Sequence, residues 1–334
     1  MEALKDPFPL APIPWLSEWI RPVANRLGLV ILPMHIHEVV YSAGFYFFAQ
    51  HVISPILSNM FAAKHYSHLS RKKKINWDVH VVSLFQSVMI SVLALWVMFT
   101  DEERMSMDRE GRLWGYTGSC GLIAGLAVGY FVWDLVVTSL NLDVFGIGAL
   151  AHAISALTAF SLGFRPFVNY YACNFILWEI STPFLNIHWF LDKVNMTGTK
   201  AQLYNGLLLL FSFFSSRLVF GNYSAIKVFT DIYYTLGKNP STPGEGVQIF
   251  VTKDTTLPTW LALSYVTSNA VLTTLNVYWF FMMIKAVRKR FTPGTESPDK
   301  AGKVEKMVAT EVEIDVSATG SDMPNAQDVR SRRT

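Results

Sequence analysis

Seven long apolar runs divide the chain, at residues 38–62, 78–100, 118–140, 147–164, 168–190, 203–222 and 257–284. Each approaches the about 20 residues a helix needs to cross the hydrocarbon core, the run at 147–164 being the shortest. Strands of a membrane barrel would alternate apolar and polar positions with a period of two, and these runs do not. The pattern predicts an all-α, multi-pass transmembrane bundle of about seven spans. Little separates the fourth run from the fifth, so the count carries a margin of one.

The segments outside the runs read differently. The N-terminus, "MEALKDPFPLAPIPWLSEWIRPV", is broken by prolines and has no continuous apolar core before a small-residue cleavage site. It is not a cleaved signal peptide. Trp15, Trp19 and Ile20 point to a segment lying at the bilayer surface. Beyond residue 290 the chain is polar, poor in aromatics and without sustained periodicity, which predicts a disordered tail over 291–334. Asp78, at the opening of the second run, reads as a helix-start residue.

Charge sets the orientation. "RKKK" at 71–74 lies between the first two runs and "KAVRKR" at 285–290 follows the last. Seven spans put both clusters on one side, and the positive-inside rule makes that side, and the tail, cytosolic. Over the whole chain, 51% of residues are apolar and only 16% charged, with a net charge of +3. A soluble domain carries about a quarter charged residues. The small net charge makes nucleic acid an unsuitable partner. Cys120 and Cys173 both sit inside apolar runs, where neither a disulfide framework nor a metal-ligand spacing can be built from them.

Ionisable residues inside spans are costly, by about 2.5–3.5 kcal/mol on insertion scales, and each is therefore a functional candidate. Asp134, His152, Glu179 and Arg217 are of this kind, with Asn186 and His188 following Glu179. Counting about 1.5 Å per residue from the span ends puts Asp134 and His152 at similar depth on neighbouring antiparallel helices. A carboxylate set against an imidazole can orient a general base. The same contact can also serve only to hold two helices together. Glu179 and Arg217 are expected to pair with each other or with other polar groups. In "HIHE" at 35–38, His35 and Glu38 could share a helical face while His37 points elsewhere. A complete metal site would need further ligands from other spans, so no metal is assigned.

Taken together, "YFVWD", a following span with a histidine, "EISTPFLNIHWFLDK" and a span with an intramembrane arginine resemble the TLC domain. That family includes translocation-associated membrane proteins, ceramide synthases and CLN8-like proteins, and the smaller TLC-domain-containing proteins are the nearest likeness. The motif Glu-x-Ser-Thr-Pro-x-x-Asn-x-x-Trp-Phe at 179–190 is its most specific part. The resemblance divides the chain into an N-terminal interfacial segment with the first span (1–69), a TLC domain (70–290) and the tail (291–334). It implies a core of six helices around a cavity, in the endoplasmic reticulum or a connected membrane.

The resemblance also implies a function in lipid metabolism or membrane lipid homeostasis, with lipid or acyl chains held in the cavity. His152 and Asp134 would then be catalytic, and Glu179, Asn186, Arg217, Trp133 and Tyr130 would bind substrate. No cofactor is implied, acyl-CoA being a substrate whose phosphates would meet Lys72–Lys74. Ceramide synthases place two adjacent histidines on one span. Here Ala151 occupies the place of the first, which argues against that reaction. The alternatives are an acyl-CoA-dependent acyltransferase and a non-enzymatic sorting or scaffold protein. A transporter lacks the interrupted helix pair or inverted repeat that would support it.

Overall fold

A computed structural model describes residues 5–291. The expectation for the tail falls outside the described residues. Within them the regular elements are all helices, with no strand, and the longest irregular connection is 236–258 with one 3-10 turn. We number the helices α1 (Pro14–Leu27), α2 (Leu32–Tyr66), α3 (Arg71–Thr100), α4 (Glu102–Ser106), α5 (Arg109–Trp114), α6 (Gly118–Leu140), α7 (Leu142–Leu162), α8 (Ala172–Ile176), α9 (Thr182–Lys193), α10 (Lys200–Thr235) and α11 (Thr259–Phe291).

Five helical stretches among the described residues are long and apolar enough to cross a membrane, or six counting α1 and α2, which meet at 116°. The predicted fifth span is the exception. Over 169–193 the chain stays helical but changes type, from a 3-10 turn through α8 to a second 3-10 stretch, Leu177–Ser181, and then α9. Its polar and small residues are buried against neighbours on several sides, so packing rather than a continuous α ladder holds it. Asp78 also differs from expectation. Helix α3 starts a full two turns earlier, and Asp78 accepts hydrogen bonds from Ser54 Oγ (2.6 Å) and Tyr66 O–H (3.0 Å) on α2.

Helix α6 is the central element: 78% of its apolar window is buried, against 22–44% in the other four. Gly121, Gly125 and Gly129 recur every four residues and so form one stripe along it. Helix α2 lies in that stripe. A Cβ at these positions would run into His35, Glu38 and Ser42 respectively. Between apolar helices in lipid, association rests on close packing and interhelical hydrogen bonds, and small residues permit both. Ser42 Oγ accordingly donates to the Leu126 carbonyl at 2.8 Å. Below the stripe, Tyr46, Tyr130 and Trp133 pack ring against ring, and Trp133 Nε1 donates to Gln50 Oε1 at 2.9 Å.

Two π turns interrupt the long helices. One, Ala49–Ile53 in α2, directly precedes Pro55, whose missing N–H and ring disturb the preceding α ladder. The other, Phe214–Phe220 in α10, contains no proline and carries Arg217.

Contacts fix the relative direction of the spans. Lys72 forms an ion pair with Asp143, which brings the starts of α3 and α7 to one end. Tyr265 O–H donates to the Ala159 carbonyl (3.0 Å), and the rings of His152 and Trp279 are 6.0 Å apart. Helices α7 and α11 are therefore antiparallel, and α11 ends where α7 begins. The two basic clusters thus share one end of the bundle. Phe99, Leu140, Ile147, Phe211 and Phe281 project outward, as lipid-facing side chains of a multi-pass membrane protein do.

Gly125→Ala is expected to lower stability by about 1–3 kcal/mol through overpacking of Glu38. Gly44→Ala, on α2 with no neighbour within 4 Å, is expected to be neutral or to stabilise by up to about 1 kcal/mol. Denaturation of the two variants in one detergent measures both.

Candidate functional site

The strongest polar feature inside the bundle is the meeting of two irregular helices. The π turn of α10 rotates Arg217 inward, 3% exposed, while Phe214 and Val219 face outward. Opposite stands the 3-10 stretch Leu177–Ser181. The looser hydrogen bonding of 3-10 turns leaves carbonyls able to accept a second donor. Arg217 Nε donates to the Trp178 carbonyl and to Ser181 Oγ, each at 3.0 Å. Nη1 donates to Asn276 Oδ1 of α11 (3.0 Å) and Nη2 to Thr182 Oγ1 (3.1 Å). Glu179 Oε1 lies 4.0 Å from Nη2, the pairing of opposite charges that two buried ions require. Gly221, at the end of the π turn, makes room for the Trp178 indole, which a Cβ there would strike.

Beside this centre is a cavity of about 60 Å³. Phe131, Phe160 and Phe175 give it apolar walls, and His152, Glu179 and Arg217 supply polar groups. Space of that size holds about four to six water-sized groups. His152 Nδ1 is buried and has no hydrogen-bond partner. Its ring instead meets the edges of Phe131 and Trp279, at 6.3 and 6.0 Å. Buried polar atoms are nearly always paired, so a lone imidazole nitrogen on a cavity wall stands out.

The seven sequence candidates separate into two groups. His152, Glu179 and Arg217 line the cavity. Tyr130 and Trp133 do not; they face α2, one helical step around α6 from Phe131, which takes the cavity side. Asn186 is fully buried away from it, bonded to His80 Nδ1 (2.6 Å), Ser83 Oγ (3.2 Å) and the Thr182 carbonyl (3.0 Å).

Asp134 and His152 are not joined by a hydrogen bond or ion pair among the described residues. The bond that Asp134 makes comes from Thr138 Oγ1 at 3.4 Å on its own helix. The expected pairing assumed that the fourth span starts at 147. A short helical turn begins at Leu142, and the chain leaves helical geometry at Gly146 (φ 76°, ψ 174°), so the continuous span does begin after Gly146. Antiparallel packing about that tight turn sets His152 opposite Phe131, one turn short of Asp134.

Sequence reasoning missed several residues here. Asn269, on the cavity wall, and Asn276 are amides in one apolar run, the same signal that singled out Asn186. Ser181 and Thr182 are too ordinary in type to be noticed. His80 stacks on Trp189 with ring centres 3.9 Å apart and holds Asn186, a role only the fold reveals.

Arg217→Ala leaves Glu179 buried without its counter-charge, and a loss of about 3–5 kcal/mol is expected. Arg217→Lys keeps the charge but not the fork of donors, and should fall between the two. Glu179→Gln combined with Arg217→Ala should recover part of the loss. A double-mutant cycle of denaturation free energies measures the coupling.

Comparison with known proteins agrees with this architecture. A TLC-domain family model matches residues 76–285. A TLC domain-containing protein of Schizosaccharomyces pombe is 38% identical over 284 residues, covering 85% of this chain and 89% of that protein. The Saccharomyces cerevisiae protein called topoisomerase I damage affected protein 4 is 29% identical over 270 residues, 79% of this chain and 88% of its own. Human TLC domain-containing protein 4 is 28% identical over 249 residues, 73% and 87% of the two chains. Helices, motif and matches converge, and the chain belongs to the TLC-domain family.

Proposed function

We propose that this protein binds an acyl lipid in the cavity beside Arg217 and acts in membrane lipid metabolism or homeostasis. The observation that carries this reading is the unpartnered Nδ1 of His152, set between Phe131 and Trp279 on the cavity wall. A lipid carbonyl or hydroxyl group offers such a nitrogen a partner, and the hydrocarbon next to that group suits the phenylalanine walls. Glu179 and Arg217 add a polar end to the same space. The basic end of the bundle would face the cytosol of an endoplasmic reticulum or connected membrane, with the tail on that side.

Acyl transfer from acyl-CoA is a second reading, favoured by the same imidazole. In it His152 acts as base, and Glu179 on the same cavity is the carboxylate available to assist, since Asp134 bonds elsewhere. Lys73 and Lys74 would attract the CoA phosphates at the mouth of the bundle. A scaffold that binds no lipid is the contrary view.

Lipids that co-purify with the protein in detergent and survive to native mass spectrometry decide between them. Ala156→Leu, which fills the cavity without touching its polar groups, is expected to lower lipid occupancy about tenfold, equivalent to about 1.4 kcal/mol. Ile154→Leu, on the outer face of α7, should leave it unchanged. His152→Ala is expected to alter which lipids are held. Equal occupancy in wild type and Ala156→Leu would overturn the binding reading. Turnover of labelled acyl-CoA by wild type, lost in His152→Ala of normal stability, would select the transferase.

A further inference from the structure

A second group of titratable side chains lies outside the cavity lining, at the opposite end of the bundle from the basic clusters. His35, His37 and Glu38 occupy the first turns of α2 and are all fully buried. The N-terminal segment folds back over them. Its backbone at Lys5 and Asp6 rests against Gly118, at the start of α6, where a Cβ would collide with it. Asp6 Oδ1 accepts from the Phe8 N–H at 2.9 Å, which turns the segment and brings Oδ2 to 3.7 Å from His35 Nδ1. Phe8 caps the group, its ring edge-on to His37 at 5.4 Å.

Asp6, His37 and Glu38 each offer one donor atom, and the three atoms lie within 4.8 Å of one another. The surroundings leave them under-served. His37 Nδ1 and Glu38 Oε2 are buried without hydrogen-bond partners, while His37 Nε2 lies 3.1 Å from the Leu10 carbonyl. The ion-pair partners of the two carboxylates among the described residues are His35 and His37, neither of them a permanent cation. Two carboxylates so placed in an apolar bundle cannot both be ionised unless a cation sits between them or they share a proton.

His35 has a different task. With Glu38 ionised, as a metal ligand must be, His35 Nδ1–H donates to Glu38 Oε1 (2.8 Å) and its Nε2 accepts from Tyr116 O–H (2.7 Å). This chain from α6's approach through His35 fixes the Glu38 carboxylate. It is the hydrogen-bonded support that metal-binding side chains characteristically have, and Gly121 and Gly125 provide the space for it.

We propose that Asp6, His37 and Glu38 bind one divalent transition-metal ion of the zinc class. One imidazole and two carboxylates, with no thiolate, suit zinc, manganese or ferrous iron and disfavour softer ions. Donors on one zinc ion at about 2.1 Å lie about 3.4 Å apart. The present spacing closes to that by side-chain rotation of about 1 Å. Three protein donors leave a fourth position for water or another ligand. The ion supplies the missing positive charge and ties the N-terminal segment to α2. It shares no residue with the lining of the lipid cavity, and neither proposal depends on the other.

The test uses the full-length chain with any purification tag removed, stripped with chelator and titrated with Zn²⁺ or Co²⁺. Elemental mass spectrometry is expected to count about one ion per chain. Added Zn²⁺ should raise the thermal midpoint of the wild type. Asp6→Asn keeps the turn acceptor for Phe8 and lies outside any helix, so it should fold normally and bind at least about tenfold more weakly. Glu38→Gln and His37→Ala should do the same. Failure of the stripped wild type to take up either ion would overturn the site. Binding by Asp6→Asn and His37→Ala as tight as wild type would overturn the assignment of ligands.

Discussion

A guanidinium held among apolar helices must have every donor answered from within the bundle, because hydrocarbon offers none. Arg217 meets that demand by drawing three helical stretches to one point: the 3-10 turns before α9, its own α10, and Asn276 of α11. No set of regular α helices would present a backbone carbonyl there. The irregular turns are thus the means by which the charge is accommodated, and they in turn determine where the helices can be separated. The cavity opens beside that junction because a chain packed around a fixed polar centre cannot also close uniformly around it.

On the other side of α6 the constraint is steric. The glycine stripe lets α2 approach until its polar side chains lie against the backbone of the central helix. One face of α6 is therefore a groove for another helix, and the adjacent face, through Phe131, is a wall of the cavity. A single helix serves both because its side chains step by about 100° per residue.

Apolar run length alone gave the helices, since spanning a bilayer demands it. The pairing of Glu179 with Arg217 was legible for the same reason, two buried charges of opposite sign having few other partners. The register of α6 against α7 was not. "NLDVFG" reads as a loop, yet Leu142–Phe145 forms a helical turn whose Asp143 pairs with Lys72, and Gly146 kinks the chain before the span continues. That extra turn and kink leave His152 beside Phe131, one turn from Asp134. Tyr130 and Trp133 face α2 while Phe131 faces the cavity because a motif in sequence order, "YFVWD", winds around the helix and cannot face one site.

The matched family region begins at residue 76, whereas the helix that fills the glycine groove, α2, ends at Tyr66. A unit of inheritance and a unit of folding need not share a border. A fragment cut to the recognisable domain would present to lipid a bare channel of backbone along its most buried helix, with nothing of its own to lay in it. The residues that look like a preface to the domain are, mechanically, one of its walls.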